Sequence, residues 1–327
     1  MSQPFGFSTT AADVVARFPE RVHGRNFLVT GPSPGSIGAE TVLALAHGHP
    51  RTLLLVGRTP PKYAPVVAAI RAIDASIDVR VYGVDLASAD SVRAGALQIE
   101  RDAKADSESG GFGCIDVLVN NAGVSDGSAG LKKSTDGVEM HFATNQLGPW
   151  LLTNMLMDLL KRSEEPRVVN LTSGAHRVGL GVGDYSDINF EKRDYTWFQA
   201  YAESKVATFH FTRYLTKCDS LMARNLTAFT VHPGLIWNTE LTRTVSSEEM
   251  TKLKAYVAGT GVQEKTPQQG AATTLVAALD PALVELNGAF LFDCAVSEPF
   301  CDDAKREDLE DPLWRLCETL AGETFAH

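Results

Sequence analysis

Residues 26–46, NFLVTGPSPGSIGAETVLALA, decide how this chain is read. Phe27, Leu28 and Val29 form an apolar run of the kind found in buried strands. Gly31, Gly35 and Gly38 punctuate the turn behind it, and Ile37, Val42, Leu43, Leu45 and Ala46 then recur at helical spacing. A strand, a glycine turn and a helix in that order can seat an anion. Glycines permit a tight turn and a close approach of main chain to a pyrophosphate. The first N–H groups of the helix have no intrahelical acceptor and carry the positive end of its dipole. The glycine spacing is G-x3-G-x2-G rather than the dinucleotide fingerprint G-x-G-x-x-G, and Pro32 and Pro34 stiffen the first gap. On its own such a run specifies only a turn, so the rest of the chain has to give it meaning.

The 327 residues are 44% hydrophobic and 21% charged, with a formal net charge of −10 and a pI near 5.3. That balance offers no electrostatic footprint for nucleic acid. No apolar window reaches the length of a membrane-spanning helix, and the opening MSQPFGFSTT lacks the basic and apolar regions of a secretory signal. The five cysteines (114, 218, 294, 301 and 317) contain no C-x-x-C and read as reduced thiols, so a cytoplasmic protein without a metal site is expected.

Outward from residues 26–46, apolar runs alternate with amphipathic segments along the whole chain. Strands are expected at 51–57, 79–84, 115–119, 167–171, 226–231 and 289–292, with helices between them. A surface loop is expected over 104–113 and one long helix, distorted near Pro149, over 136–161. The strand runs are continuous rather than alternating, as in strands buried on both faces. The pattern predicts one α/β domain over 1–327, a doubly wound parallel sheet of about seven strands with right-handed crossovers. Residues 1–24 are a lead-in, 177–198 and 235–266 are insertions, and 293–327 are a C-terminal extension.

In such a sheet, ligands bind beyond the carboxyl ends of the strands. The small and polar clusters fall there: Gly31, Ser33, Gly35, Ser36, Ile37 and Gly38, then Arg58, Asp85, Asn120 to Gly123, Ser173, and His232 to Gly234. Arg58 lies 20 residues beyond Gly38, where an acid would select a ribose hydroxyl and an arginine suits a 2′-phosphate; this favours NADP(H) over NAD(H). Tyr201 and Lys205 are four apart, hence on one helix face. A phenol titrates near pH 10 and is a poor proton carrier at neutrality, but a neighbouring ammonium stabilises the phenolate, so the pair makes a plausible acid–base unit. The Ser173 hydroxyl is placed to hold a substrate oxygen. The aromatic and apolar residues of the two insertions, Tyr185, Phe190, Tyr195, Trp197, Phe198, Ile236, Trp237, Met250, Leu253 and Tyr256, point to a ring-accepting pocket or to packing of a lid. His176, His210 and His232 read as structural.

Taken in order, the Thr30–Gly38 turn, Asp85-Leu86, NNAG at 120–123, Asn145, Ser173, Tyr201-A-E-S-Lys205 and Pro233-Gly234 with Thr239 resemble the short-chain dehydrogenase/reductase superfamily over essentially the full chain. The wording is most similar to the retinol-dehydrogenase and WW-domain-oxidoreductase-like branch and to fungal reductases of that style. The resemblance implies Tyr201 as general acid or base. Lys205 would lower its pKa and bind the nicotinamide ribose, Ser173 would position the carbonyl or alcohol, and Asn145 would hold a relay water. It implies Asp85 and Leu86 at the adenine, Asn121, Ala122 and Gly123 along the adenosine side, and Pro233, Gly234 and Thr239 at the nicotinamide amide. The glycine turn is one residue longer than the family pattern T-G-x3-G-x-G. The implied activity is NADP(H)-dependent interconversion of a carbonyl and an alcohol on a lipophilic or polyketide-like molecule of secondary metabolism, by a monomer or homodimer. A redox-neutral epimerase or isomerase, or a dinucleotide-binding regulatory protein on the same fold, remains open at this point.

Overall fold

β1 (Asn26–Thr30) is buried at all five positions and β2 (Thr52–Gly57) at all six. Alternate residues enter opposite cores: Leu28, Leu54 and Leu118 one, Val29, Leu55 and Val119 the other. Because both faces are covered, the period-2 alternation of a strand leaves no polar face in the sequence. The protein, described by a computed structural model at residues 4–109, 112–127, 130–218, 221, 225–237, 241, 245–259 and 261–325, continues with β3 (Asp78–Gly83), β4 (Val117–Asn120), β5 (Arg167–Leu171), β6 (Thr227–His232), β7 (Phe290–Phe292) and β8 (Ala295–Ser297). They form one sheet in the order β3-β2-β1-β4-β5-β6-β7-β8, parallel except for the last pair. The chain winds outward from β1 in one direction and from β4 in the other, so the switch point lies between them.

One face of the sheet carries α1 (Ala11–Arg17), α2 (Ile37–Ala46), α3 (Ala64–Ile73) and the later helix Pro267–Leu279; the other carries α4 (Ala89–Ser109), α5 (Gly148–Met155), α6 (Trp197–Lys217) and the final helix. In chain order the remaining helices are α7 (Ser247–Ala258), α8 (Pro267–Leu279) and α9 (Glu310–Ala321). Two helices carry capping boxes: the Thr10 hydroxyl accepts from Asp13 N–H, and Thr266 does the same with Gln269 ahead of Pro267.

Four sequence expectations need correction. Residues 104–109, expected as loop, extend α4, because the buried stripe Val92, Ala96, Ile99 continues to Ala103. The helix expected over 136–161 begins only at Met140 and is broken into pieces. A π turn occupies Ala143–Leu147, α5 follows, and a short segment Met157–Leu160 ends the run. Pro149 removes a helical donor there, and Gly148 passes so close to Leu86 that a Cβ would stand 2.2 Å from its carbonyl oxygen. Within 235–266, α7 forms over the sheet's carboxyl edge. An eighth, antiparallel strand follows β7 through Asp293 and Cys294, both at positive φ (50° and 61°). Neither carries the glycine signal of such a hairpin.

The final helix of the C-terminal extension is part of the core that holds Leu28. Trp314 of α9 stacks on Tyr214 at 4.0 Å and meets Trp150 edge-on at 5.2 Å, while Arg213 pairs with Glu310 at 2.6 Å. The extension also anchors the 177–198 insertion, whose Leu180 N–H donates to Asp303 at 2.7 Å. No helix among the described residues is long and apolar enough to cross a membrane.

Candidate active site

A cleft of about 710 Å³ opens at the β1–β4 switch point. Gly31 and Gly35 take positive φ (68° and 74°), which lets the turn fold back without a Cβ clash. Ser36 caps α2, its hydroxyl accepting from Ala39 N–H at 3.2 Å, while Ile37 and Gly38 N–H have no intrahelical acceptor. Across the switch point the NNAG segment is stitched to β1: Asn121 Nδ2 donates to the Thr30 carbonyl at 2.7 Å, and Ala122 N–H donates to the Thr30 hydroxyl at 2.9 Å. These contacts explain the small residues. A Cβ on Gly38 would stand 2.5 Å from Asn121 Nδ2, and one on Gly31 would stand 3.0 Å from Ala122.

Tyr201 and Lys205 come from α6, one helical turn apart, and both are buried at the far end of the cleft. The Tyr201 hydroxyl interacts with the side chain of Ser173, which follows β5. Lys205 Nζ donates to the Leu171 carbonyl at 3.0 Å and lies 5.8 Å from the Tyr201 ring centre. Burial pushes the Tyr201 phenol up to about 12, against a smaller lowering by Ser173, and pushes the Lys205 ammonium down to about 8. In the protein alone the shift of the phenol is upward and burial is its largest cause, while the Lys205 ammonium is held by the Leu171 carbonyl.

Asn145 sits in the π turn. Its Oδ1 accepts from Val124 N–H at 2.8 Å, and its Nδ2 donates to the Val124 carbonyl and to the Ser204 hydroxyl, both at 3.0 Å. Both amide hydrogens and one lone pair of the side chain thus hold the loop after NNAG and α6 together. Gly123 passes directly over the group: a Cβ there would lie 3.2 Å from Asn145 Oδ1 and 3.4 Å from Lys205 Nζ.

A second, apolar cavity of about 180 Å³ adjoins the first, and Tyr201 lines both. Trp197, Phe198, Ile236, Trp237 and Leu253 wall it, together with His232 and Ser173. His232 is buried and neutral, its pKa driven down to about 3 first by burial and then by His176 and Lys265. The Trp197 indole N–H donates to Glu249 of α7 at 3.2 Å, tying that helix over the cavity.

A short chain dehydrogenase family model matches residues 25–186. Retinol dehydrogenase 11 of Mus musculus is 35% identical over 274 residues, which are 84% of this chain and 79% of the relative. The chain is a short-chain dehydrogenase/reductase. Among solved structures, a protein of Mycobacterium paratuberculosis superposes with a TM-score of 0.68 at 28% identity, over 97% of this chain and 99% of its own. The NADP active-site complex of RhlG from Pseudomonas aeruginosa superposes with a TM-score of 0.61 at 25% identity, over 90% of this chain and 99% of its own.

In this dehydrogenase/reductase, Gly31, Ser33, Ser36, Ile37, Arg58, Asn121, Ala122, Gly123, Tyr201, Lys205 and Pro233 line the cleft. Ser173 and Gly234 line the apolar cavity instead. Gly35 and Gly38 shape the turn from behind. Asp85 and Leu86 are not part of the cleft wall: Asp85 accepts from Ala87 N–H at 3.0 Å, and Leu86 is buried against Gly148. Thr239 lies outside the described residues, as does the side chain of Tyr256. Tyr185 and Phe190 are buried in the body and Tyr195 is hydrogen-bonded to Glu139, so these three brace the insertion instead of lining the pocket. Sequence reasoning missed Lys62, Tyr63 and Arg177 on the cavity walls. For Lys62 and Tyr63 a signal was present, because the prolines at 60 and 61 turn the chain back toward the glycine loop directly after Arg58.

Proposed function

We propose that the chain catalyses the NADP(H)-dependent interconversion of a carbonyl and an alcohol on a lipophilic, ring-bearing small molecule. The observation that carries this reading is the position of Tyr201. It interacts with the Ser173 side chain, stands one helical turn from Lys205, and lines both the long cleft and the adjoining apolar cavity. The cleft residues fit a dinucleotide. Gly31 and Gly38 leave no room for side chains between the turn and NNAG, the first turn of α2 offers N–H groups for a pyrophosphate, and Arg58 stands on the wall. When bound there, the nicotinamide ring supplies or accepts the hydride.

The chain's own residues handle the proton. A phenol pushed up to about 12 stays protonated at neutral pH, so Tyr201 is set to donate to a carbonyl oxygen that the Ser173 hydroxyl orients. Once the proton has left, the Lys205 ammonium is the near cation that favours the phenolate. Pro149 has no N–H to serve as the i+4 donor to the Asn145 main-chain carbonyl, and the Asn145 Oδ1 keeps one lone pair, so a relay to solvent would pass beside Asn145. Trp197, Phe198, Trp237 and Leu253 exclude water and select an apolar substrate. The retinol dehydrogenase relatives are named for an apolar alcohol of this class.

The test is a panel of aldehydes and ketones with the full chain, followed by NADPH absorbance. Aryl and long-chain carbonyls should be reduced and small polar ones ignored. Tight NADPH binding with no turnover of any member would overturn the reading in favour of a binding protein.

A further inference from the structure

At the β2 end of the cleft, Gly57 has no room for a side chain. A Cβ there would stand 2.0 Å from the Tyr63 hydroxyl and 3.0 Å from the ring carbon that bears it. Dinucleotide sites commonly carry an acidic side chain near this strand end, reaching the ribose. Here a phenol from the 3-10 turn Pro60–Tyr63 fills that place. The phenol is buried, with 4% exposure, and it shares the cleft wall with Ser33 of the glycine turn and with Arg58, both of which act on its hydroxyl electrostatically. Lys62, one residue earlier, is exposed and lines the same wall. No carboxylate among the described residues pairs with Arg58 or Lys62. The acid on the cleft wall, Asp126, is at the other end and paired with Lys132 at 2.8 Å. Two unpaired cations and a buried hydroxyl therefore face a corner from which any acidic side chain at 57 is excluded.

We propose that Lys62 and Tyr63 complete, with Arg58, a seat for the 2′-phosphate of NADP(H). Lys62 contributes the second positive charge toward the phosphate dianion. Tyr63 substitutes its neutral hydroxyl for the missing side chain at 57 and, through Ser33, fixes the lengthened glycine turn against β2. The proposal rests on the dinucleotide reading above and makes Tyr63 and Lys62 determinants of cofactor choice.

Calorimetric binding of adenosine 2′,5′-bisphosphate and of 5′-AMP to the full chain tests it without relying on turnover. The wild-type chain should prefer the bisphosphate. Lys62→Ala should weaken the bisphosphate about tenfold at low salt and leave 5′-AMP unchanged, the size expected for one charge-assisted phosphate contact. Gly57→Asp alone should bind neither nucleotide well, because its side chain meets the Tyr63 hydroxyl. Gly57→Asp with Tyr63→Ala should make room and shift the preference to 5′-AMP. Equal effects of Lys62→Ala on both nucleotides, or a Gly57→Asp single variant that switches preference as fully as the double, would overturn the proposal. A wild-type chain that binds both nucleotides equally would overturn the NADP(H) reading itself, before any variant is made. Lys62 is exposed, so its variant should fold even if Gly57→Asp does not.

Discussion

Acid should destabilise this fold well above the carboxylate range, because three histidines are buried as neutral groups. His176 is driven down to about 4, His210 to about 3 and His232 to about 3, in each case first by burial. The geometry requires the neutral form. His176 Nδ1 meets the Ser173 carbonyl at 2.6 Å while its Nε2 accepts from Phe300 N–H at 2.9 Å, so only the Nδ1–H tautomer satisfies both. His210 stands between the Tyr185 hydroxyl and the Asp303 carbonyl. An unfolded histidine titrates near 6.5, so below that pH the unfolded chain binds protons that the fold refuses. The stabilisation is fully present above 6.5 and is lost as pH falls toward the depressed values. From pH 7 to about 5.5 each histidine should cost about 1.2 kcal/mol, about 4 kcal/mol for the three, a large part of a typical domain's stability. Urea midpoints at a series of pH values, with a constant m-value, measure this directly. The slope near pH 5.5 should approach three protons, and His210→Gln should reduce it by one. A total loss below about 1 kcal/mol over the interval would show that these rings take up protons inside the fold, and would refute the tautomer assignment that ties Ser173 to the C-terminal segment.

Other predictions concern the site and its supports. Tyr201→Phe should lower carbonyl reduction by about 10² to 10⁴-fold with NADPH affinity near normal, since only the proton donor is removed; retained turnover would exclude the proton-transfer role. The rate of reduction should be flat through neutrality and fall as Lys205 loses its proton above about 8, well before Tyr201 titrates, as a pH–rate profile would show. Asn145→Ala removes two bonds to Val124 and one to Ser204, and should cost about 2 kcal/mol in urea denaturation. Trp314→Ala opens the contact with Tyr214 and Trp150 and should cost about 3–5 kcal/mol, with the substrate KM rising as the extension loosens its hold on the insertion.

The parallel doubly wound sheet was legible because strands buried on both faces leave continuous apolar runs, and the glycine turn was legible because small residues have few other uses at a strand end. That Tyr201 and Lys205 stand together was legible because four residues on a helix return to one face. What escaped were features set by contacts between distant segments. The break at Ala143–Leu147 depends on Gly148 meeting Leu86, 62 positions away in the chain. The β7–β8 hairpin depends on two non-glycine residues held at positive φ by their surroundings.

The organising stretch at 26–46 shows the same division. Its strand, its turn and its helix follow from local pattern, and the order of motifs downstream of it identifies the family. Whether Lys205 lowers the Tyr201 pKa could not be read from their spacing, because spacing gives proximity while burial sets the cost of charge, and burial is a property of the packed whole. Likewise the place of Arg58 at the end of β2 was legible in the sequence. Only the folded chain brings the Tyr63 hydroxyl onto Gly57 and Ser33, because a contact between the glycine turn and the end of the next strand exists only once β1 and β2 have paired.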